Sequence, residues 1–167
     1  MAVYCEKRTD EEIVRDIGEA GRVLLVGCPI CANVSGVVHQ QADGPVSKMD
    51  MKGIKPLLLD KEMKKTAELL RGKGVATDSW TLPGMPASFC SITDPTRRKI
   101  FAKAQDRDAV VVFSCESGHK CVADILPDKK VVAAMNAKGL LRVVTRRKGR
   151  TVFVDKDSAE IIEFPLE

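Results

Sequence analysis

The sequence predicts an α/β fold: a mostly parallel sheet with helices on both faces and a C-terminal antiparallel hairpin. Three observations predict it. Residues 23–26 (VLLV), 109–114 (AVVVFS) and 131–135 (VVAAM) are short, continuous apolar runs, the pattern of strands buried on both faces. Stretches of helical periodicity separate them, and alternation of strands with helices argues for a parallel sheet. After residue 140 the pattern changes to short β-forming runs around a basic turn that contains Gly149, which is a hairpin signal.

The chain has 167 residues and a net charge of +4. That length suffices for one domain with its own core, and we expect a single α/β domain over 1–167. Within it lie a CxxC strand–helix unit (22–41), a second cysteine-bearing strand–helix–strand unit (108–136) and a hairpin tail (140–164). With one Trp, one Tyr and scattered Lys and Arg, no basic and aromatic surface for nucleic acid stands out. No apolar run approaches the ~20 residues of a membrane span. The N-terminus, MAVYCEKRTDEE, lacks an apolar signal core, so the expected location is cytoplasmic. Six cysteines in that compartment point to metal, cluster or redox roles rather than structural disulfides.

The elements follow in order. Residues 9–20 predict a helix, with Thr9 and Glu12 as a capping box, Ile13, Val14 and Ile17 on one face, and Gly21 as the stop. Cys5, just before it, reads as incidental. The strand 23–26 ends at Gly27 and runs into Cys28-Pro29-Ile30-Cys31. A helix then extends to about residue 41, with Val34, Val37 and Val38 on its apolar face and His39 near its end. Residues 42–56 are polar, contain Gly44-Pro45 and Gly53, and read as a long connection. Residues 57–59 form an apolar patch of unassigned type. Residues 60–71 predict a helix with Met63, Ala67 and Leu70 inward and Lys61, Lys64 and Lys65 outward.

Residues 75–82 predict a strand, Pro83-Gly84-Met85-Pro86 a rigid turn, and Cys90 a place in a loop. Asp94 as N-cap and Pro95 at the first position open a helix with Ile100 and Phe101 facing inward. The strand 109–114 runs directly into Cys115, followed by Glu116-Ser117-Gly118-His119-Lys120-Cys121. A helix continues to Leu126 and Pro127 ends it. After the strand 131–135, residues 140–145 and 151–154 flank Arg146 to Arg150, whose basic residues read as a solvated turn. Residues 161–164 add an edge strand.

Two strand ends therefore deliver cysteine independently. Right-handed crossovers bring the carboxyl ends of parallel strands to one side, where open α/β sheets build their sites. Cys28, Cys31 and Cys115 are expected on that edge, with Cys90 able to join them. Thiols near a helix start gain thiolate character from the unpaired N–H groups there. Four thiolates suit a tetrahedral zinc ion or an iron–sulfur cluster. His119 and Cys121 stand second to these four as ligands. A strand, then CPIC, then a helix also suits a thioredoxin-like thiol–disulfide oxidoreductase with Cys28 as nucleophile and Cys31 as resolving thiol. That use leaves Cys115 unexplained. Whether the chain is an enzyme stays open, because no phosphate loop, GxGxxG or Ser–His–Asp set is present in the sequence.

The run VLLVGCPICANVSG resembles the first motif of the cysteine-rich domain that accompanies methylenetetrahydrofolate reductase in many bacteria and archaea, the reductase C-terminal-like domain. The block DAVVVFSCESGHKCVADILPDKKVVAAMN (108–136) resembles the later motif of that family. Cys90 falls where the family has a cysteine between the two. The resemblance implies iron–sulfur binding, most simply a four-iron four-sulfur cluster, with Cys28, Cys31, Cys90 and Cys115 as ligands. It implies electron exchange with a redox partner such as a flavin-containing methylenetetrahydrofolate reductase. This chain departs from the family at Asn33, Val34 and Ser35, where another cysteine is usual, and it lacks the cysteine-rich tail of longer members. The expected function is thus a metal-centre protein acting in electron transfer or as an accessory subunit in one-carbon metabolism. The alternatives are the thiol oxidoreductase and a structural zinc module in an interaction protein.

Overall fold

A computed structural model describes residues 1–51, 53–82 and 89–165. Its centre is a four-stranded parallel sheet built from β2 (Arg22–Gly27), β5 (Ala76–Thr81), β6 (Ala109–Phe113) and β7 (Lys130–Ala133), in the order β5–β2–β6–β7. Each middle strand has five consecutive buried residues, which is why both read as unbroken apolar runs. The α/β class with helices on both faces holds. Two antiparallel sheets accompany the parallel one.

Strand periodicity divides the core in two. Val23 and Leu25 of β2, with Ala109, Val111 and Phe113 of β6, face α1 (Asp10–Ile17) and α3 (Leu57–Gly72). Leu24 and Val26, with Val110 and Val112, face α4 (Asp94–Ala104) and α5 (Glu116–Ile125). Each fully buried aliphatic side chain contributes on the order of 1.5–3 kcal/mol by leaving water. Gly27 lets α3 approach closely, because a Cβ there would lie 2.5 Å from the sulfur of Met63.

The second sheet joins β1 (Ala2–Lys7), β8 (Met135–Arg142) and β11 (Glu160–Glu163), in the order β1–β8–β11. The third joins β3 (Gly44–Asp50), β4 (Gly53–Pro56), β9 (Thr145–Lys148) and β10 (Thr151–Val154), in the order β4–β3–β10–β9. A small core of Val37, Val46, Leu58 and Val154 seats the third sheet against α3 and α2 (Cys31–His39).

Several expectations need correction. Residues 42–56 form the hairpin β3–β4 rather than a connection, and β3 also pairs with β10 about a hundred residues later. Only Val46 and Ser47 of β3 are buried, so its local apolar signal is weak and distant pairing decides. Residues 57–59 are the first turn of α3. The tail hairpin is β9–β10, turning at Gly149 with φ +59°, while Leu140 and Leu141 belong to β8. The edge strand is present as β11. Thr93, not Asp94, is the N-cap of α4. Ile100 is buried but Phe101 is 54% exposed, since adjacent helical positions point about 100° apart. The run 131–135 splits between β7 and β8. The turn 83–86 lies outside the described residues. The capping box of α1 is formed as expected from Thr9 and Glu12. Among the described residues no helix is long and apolar enough to cross a membrane.

Candidate functional site: a thiol cluster at the sheet edge

β2 is the first strand of the parallel sheet, β5 lies on one side of it and β6 on the other. The chain therefore leaves the ends of β2 and β6 in opposite directions, which makes this pair of strand ends the switch point of the sheet. The register pairs Gly27 with Phe113, and the Cys28 amide donates to the Phe113 carbonyl at 2.9 Å. Both strands thus release their cysteines at one level: Cys28 one residue beyond the paired end, Cys115 two residues beyond. That difference of one reverses the side-chain direction. Cys28 packs in the core facing α4 and α5, and Cys115 in the core facing α1 and α3.

The helix start assigns the next thiol. Cys31 is the first residue of α2 and packs against the same core as Cys115. The CxxC is therefore divided between the two cores, and the thiol that meets Cys31 is Cys115. Their side chains share a hydrogen bond, which holds Cys115 below the usual thiol range, to about 6. The backbone N–H groups of Gly118 and Ser117, in the first turn of α5, add to this lowering. The same hydrogen bond, together with burial, raises Cys31. Of the two thiols, Cys115 is the one favoured as thiolate and Cys31 the one that keeps its proton.

Burial raises the Cys28 thiol, against the opposing influence of the Phe89 and Ile30 amides. Cys28 is only 5% exposed. The nucleophile of the oxidoreductase alternative requires the reverse, an exposed thiol with a lowered pKa. Gly118 is held close beneath this region: a Cβ on it would stand 2.7 Å from Ser114 Oγ and 2.9 Å from Phe89 Cβ.

The remaining candidates lie as follows. Cys90 is exposed in the turn before α4, and its charge acts on Cys28. The His119 ring lies 3.4 Å from the Val131 carbonyl, at β7. Cys121 is half-buried farther along α5.

Sequence reasoning missed three residues. Cys5, on β1, is fully buried in the core that holds Cys115. Its thiol is pushed up to about 12, by burial first and by the charge of Cys115 next. The faint signal for it is the alternation of Val3 and Cys5 with Tyr4 and Glu6. Ser35, one turn after Cys31, accepts the Cys5 amide at 2.9 Å, and its own hydroxyl lies 2.9 Å from the Cys31 carbonyl. Asn33 is fully buried. Its Nδ2 donates to the Val46 carbonyl (3.1 Å) and to Ser47 Oγ (3.0 Å), while Oδ1 accepts the amides of Leu58 (3.1 Å) and Leu59 (3.0 Å) at the start of α3. One amide thereby fixes α2 to both β3 and α3.

The donor chemistry fits a thiophilic metal: buried sulfurs, one of them anionic, with backbone N–H groups directed at them. Among the described residues no three Cys, His, Asp or Glu side chains stand in metal-holding positions as placed. A cavity of about 720 Å³ lined by Asp43, Arg146, Arg147, Lys148, Phe153 and Asp155 shares no residue with the thiols. No protein-family model, no curated protein and no solved structure matches the chain.

Proposed function

We propose that this chain is a cytoplasmic metal-centre protein, holding an iron–sulfur cluster in thiols at the carboxyl ends of β2 and β6. The supporting observation is that β2 with α2 and β6 with α5 bring Cys28, Cys31 and Cys115 to the carboxyl ends of adjacent strands at the switch point of the sheet, Cys28 on one face and the other two on the opposite face. Iron–sulfur is preferred to zinc on the resemblance of residues 23–36 and 108–136 to the reductase-associated cysteine-rich family. A bound cluster supplies one-electron transfer. The protein's own part is to bind it, keep it dry between two apolar cores and direct amides at its sulfurs, features that tune potential. The partner is a redox protein, on the same resemblance a flavin-containing methylenetetrahydrofolate reductase, and the role is electron transfer or accessory support in one-carbon metabolism. The test is iron and acid-labile sulfide content, with a visible spectrum, on protein purified without oxygen. Iron, sulfide and a broad thiolate-to-iron band are expected. Zinc alone makes the site structural. Protein that neither carries nor takes up metal overturns the reading.

The hydrogen bond between Cys31 and Cys115 favours a second reading, a dithiol that exchanges with a partner disulfide. The Cys115 thiolate attacks one sulfur of that disulfide and releases the other as thiolate. Cys31 then attacks Cys115, closing a Cys31–Cys115 bond, expelling the second thiolate and passing its proton to it. Peptide mapping after treatment with a small-molecule disulfide separates this pair from the CxxC pair.

A further inference from the structure

One face of the sheet β4–β3–β10–β9 packs on α2 and α3, with Val46, Val152 and Val154 against Val37 and Leu58. The other face points to solvent. Residues directly opposite one another in an antiparallel ladder share a face, so the registers give its composition. Lys55 pairs with Lys48, Lys48 with Thr151, and Thr151 with Lys148. They form a row across all four strands, about 14 Å long at ~4.8 Å between neighbours, and its lysines are exposed. The next row holds Pro45, Phe153 and Arg146. The register shift between Val152 and Phe153 absorbs an extra residue of β3. Val46 and Ser47 are both buried there, which leaves Pro45 on the same face as Lys48. Phe153 is half-buried, stands opposite Arg146, and lines the cavity of about 720 Å³ with Arg146 and Lys148. Among the described residues none of Lys48, Lys55, Arg146 and Lys148 is in an ion pair. The acids close by are Asp50, at the end of β3, and Asp43 and Asp155, which line the cavity.

We propose that this open face binds single-stranded nucleic acid. Cations spread over four strands suit a chain of phosphates, and a ring among them suits unstacked bases, which stack on an aromatic side chain whatever their sequence. An acidic peptide satisfies the cations but makes no use of Phe153. A duplex keeps its bases stacked on one another and away from the ring. Asp43 and Asp155 can accept hydrogen bonds from the amino groups of bases. The four cations come from two stretches about ninety residues apart, so the fold gathers what the sequence leaves scattered. The inference stands apart from the metal-centre reading, because this face shares no residue with the thiols.

The test is binding of a fluorescein-labelled oligouridylate of about 12 nucleotides, read by fluorescence anisotropy over a salt series with the full chain. Four phosphate contacts predict that log K falls with log salt at a slope of about −2.8. Lys48→Ala/Lys148→Ala removes two of the contacts and is expected to bring the slope to about −1.4. Phe153→Leu, checked for fold by circular dichroism, keeps the charge and is expected to weaken binding about tenfold with the slope unchanged. Lys64→Ala/Lys65→Ala removes as much charge from exposed positions of α3 and is expected to leave the wild-type slope. Wild type that fails to bind at low salt overturns the inference. An α3 pair that lowers the slope as much as the sheet pair overturns it too, since binding then follows diffuse charge. Inorganic polyphosphate that binds as tightly as the oligonucleotide, with Phe153→Leu silent, makes the face a general anion surface and overturns the assignment to nucleic acid.

Discussion

Replacing Asn33 with alanine tests how the thiol-bearing helix is anchored. Asn33 makes four hydrogen bonds of 3.0–3.1 Å, to β3 on one side and to the opening amides of α3 on the other. No water reaches it. At ~1 kcal/mol net for each bond, the loss is ~4 kcal/mol. The orphaned Leu58 and Leu59 amides, first-turn donors of a helix whose N-cap, Pro56, offers no side-chain acceptor, keep the loss from relaxing. Against a typical domain stability of 5–15 kcal/mol, that is a large fraction. Urea unfolding followed by circular dichroism reads it. With an m-value of ~2 kcal/mol/M, the midpoint falls by ~2 M. Asn33→Leu separates polarity from volume: it refills the space but cannot bond, and it is expected to lose as much as Asn33→Ala. If Asn33→Leu unfolds within ~0.5 M of wild type, packing rather than the amide bridge holds these elements together, and the reasoning is refuted.

Three further outcomes are expected. In metal-free, reduced protein, alkylation of Cys115 should rise with pH around a midpoint near 6, and Cys31→Ala, which removes the donor, should move that midpoint toward the ordinary thiol value of ~8.5; equal midpoints in the two proteins exclude the hydrogen-bonded pair. His39 is lowered by burial, with Glu62 and Glu6 opposing. The unfolded chain therefore takes up its proton first, and the stability contributed by neutral His39 is complete above pH ~6.5 and is lost as pH falls below it. His39→Phe should flatten the urea midpoint between pH 7 and 5, and an unchanged slope counts against this assignment. Gly118→Ala places a methyl against Ser114 and Phe89 and should cost ~1–3 kcal/mol by overpacking, read as a lower thermal midpoint; a midpoint equal to wild type shows that the contact gives way freely.

What the sequence made legible follows from the range over which each signal acts. β2 and β6 were readable because each is buried on both faces, so five apolar residues stand in a row with no tertiary information needed. α1 was readable from its own capping box. β1 and β3 were not. AVYCEK and GPVSKMD carry mixed polarity, and their strand character comes from partners near residues 140 and 150. The same contrast governs the site. The sequence placed Cys28 and Cys115 at strand ends, but the one-residue offset that sends them to opposite faces depends on the pairing of Gly27 with Phe113. Cys5 was read as incidental because its neighbours in sequence are not its neighbours in space. Asn33 drew notice only for standing where a cysteine is usual in the resembling family, while its bridge joins three elements.

The pairing of Cys5 with Ala137 across β1 and β8 also sets an order of assembly. Cys5 is synthesised well over a hundred residues before the strand partner that completes its place, Ala137. Until residue 137 has been synthesised and has emerged, Cys5 has no strand to lie beside, and Cys31 and Cys115 meet without it. A nascent chain stalled before that point exposes to oxidants a thiol that the finished protein hides. Burial of Cys5 is in this sense a late event in the life of each molecule, timed by the length of chain between the two strands.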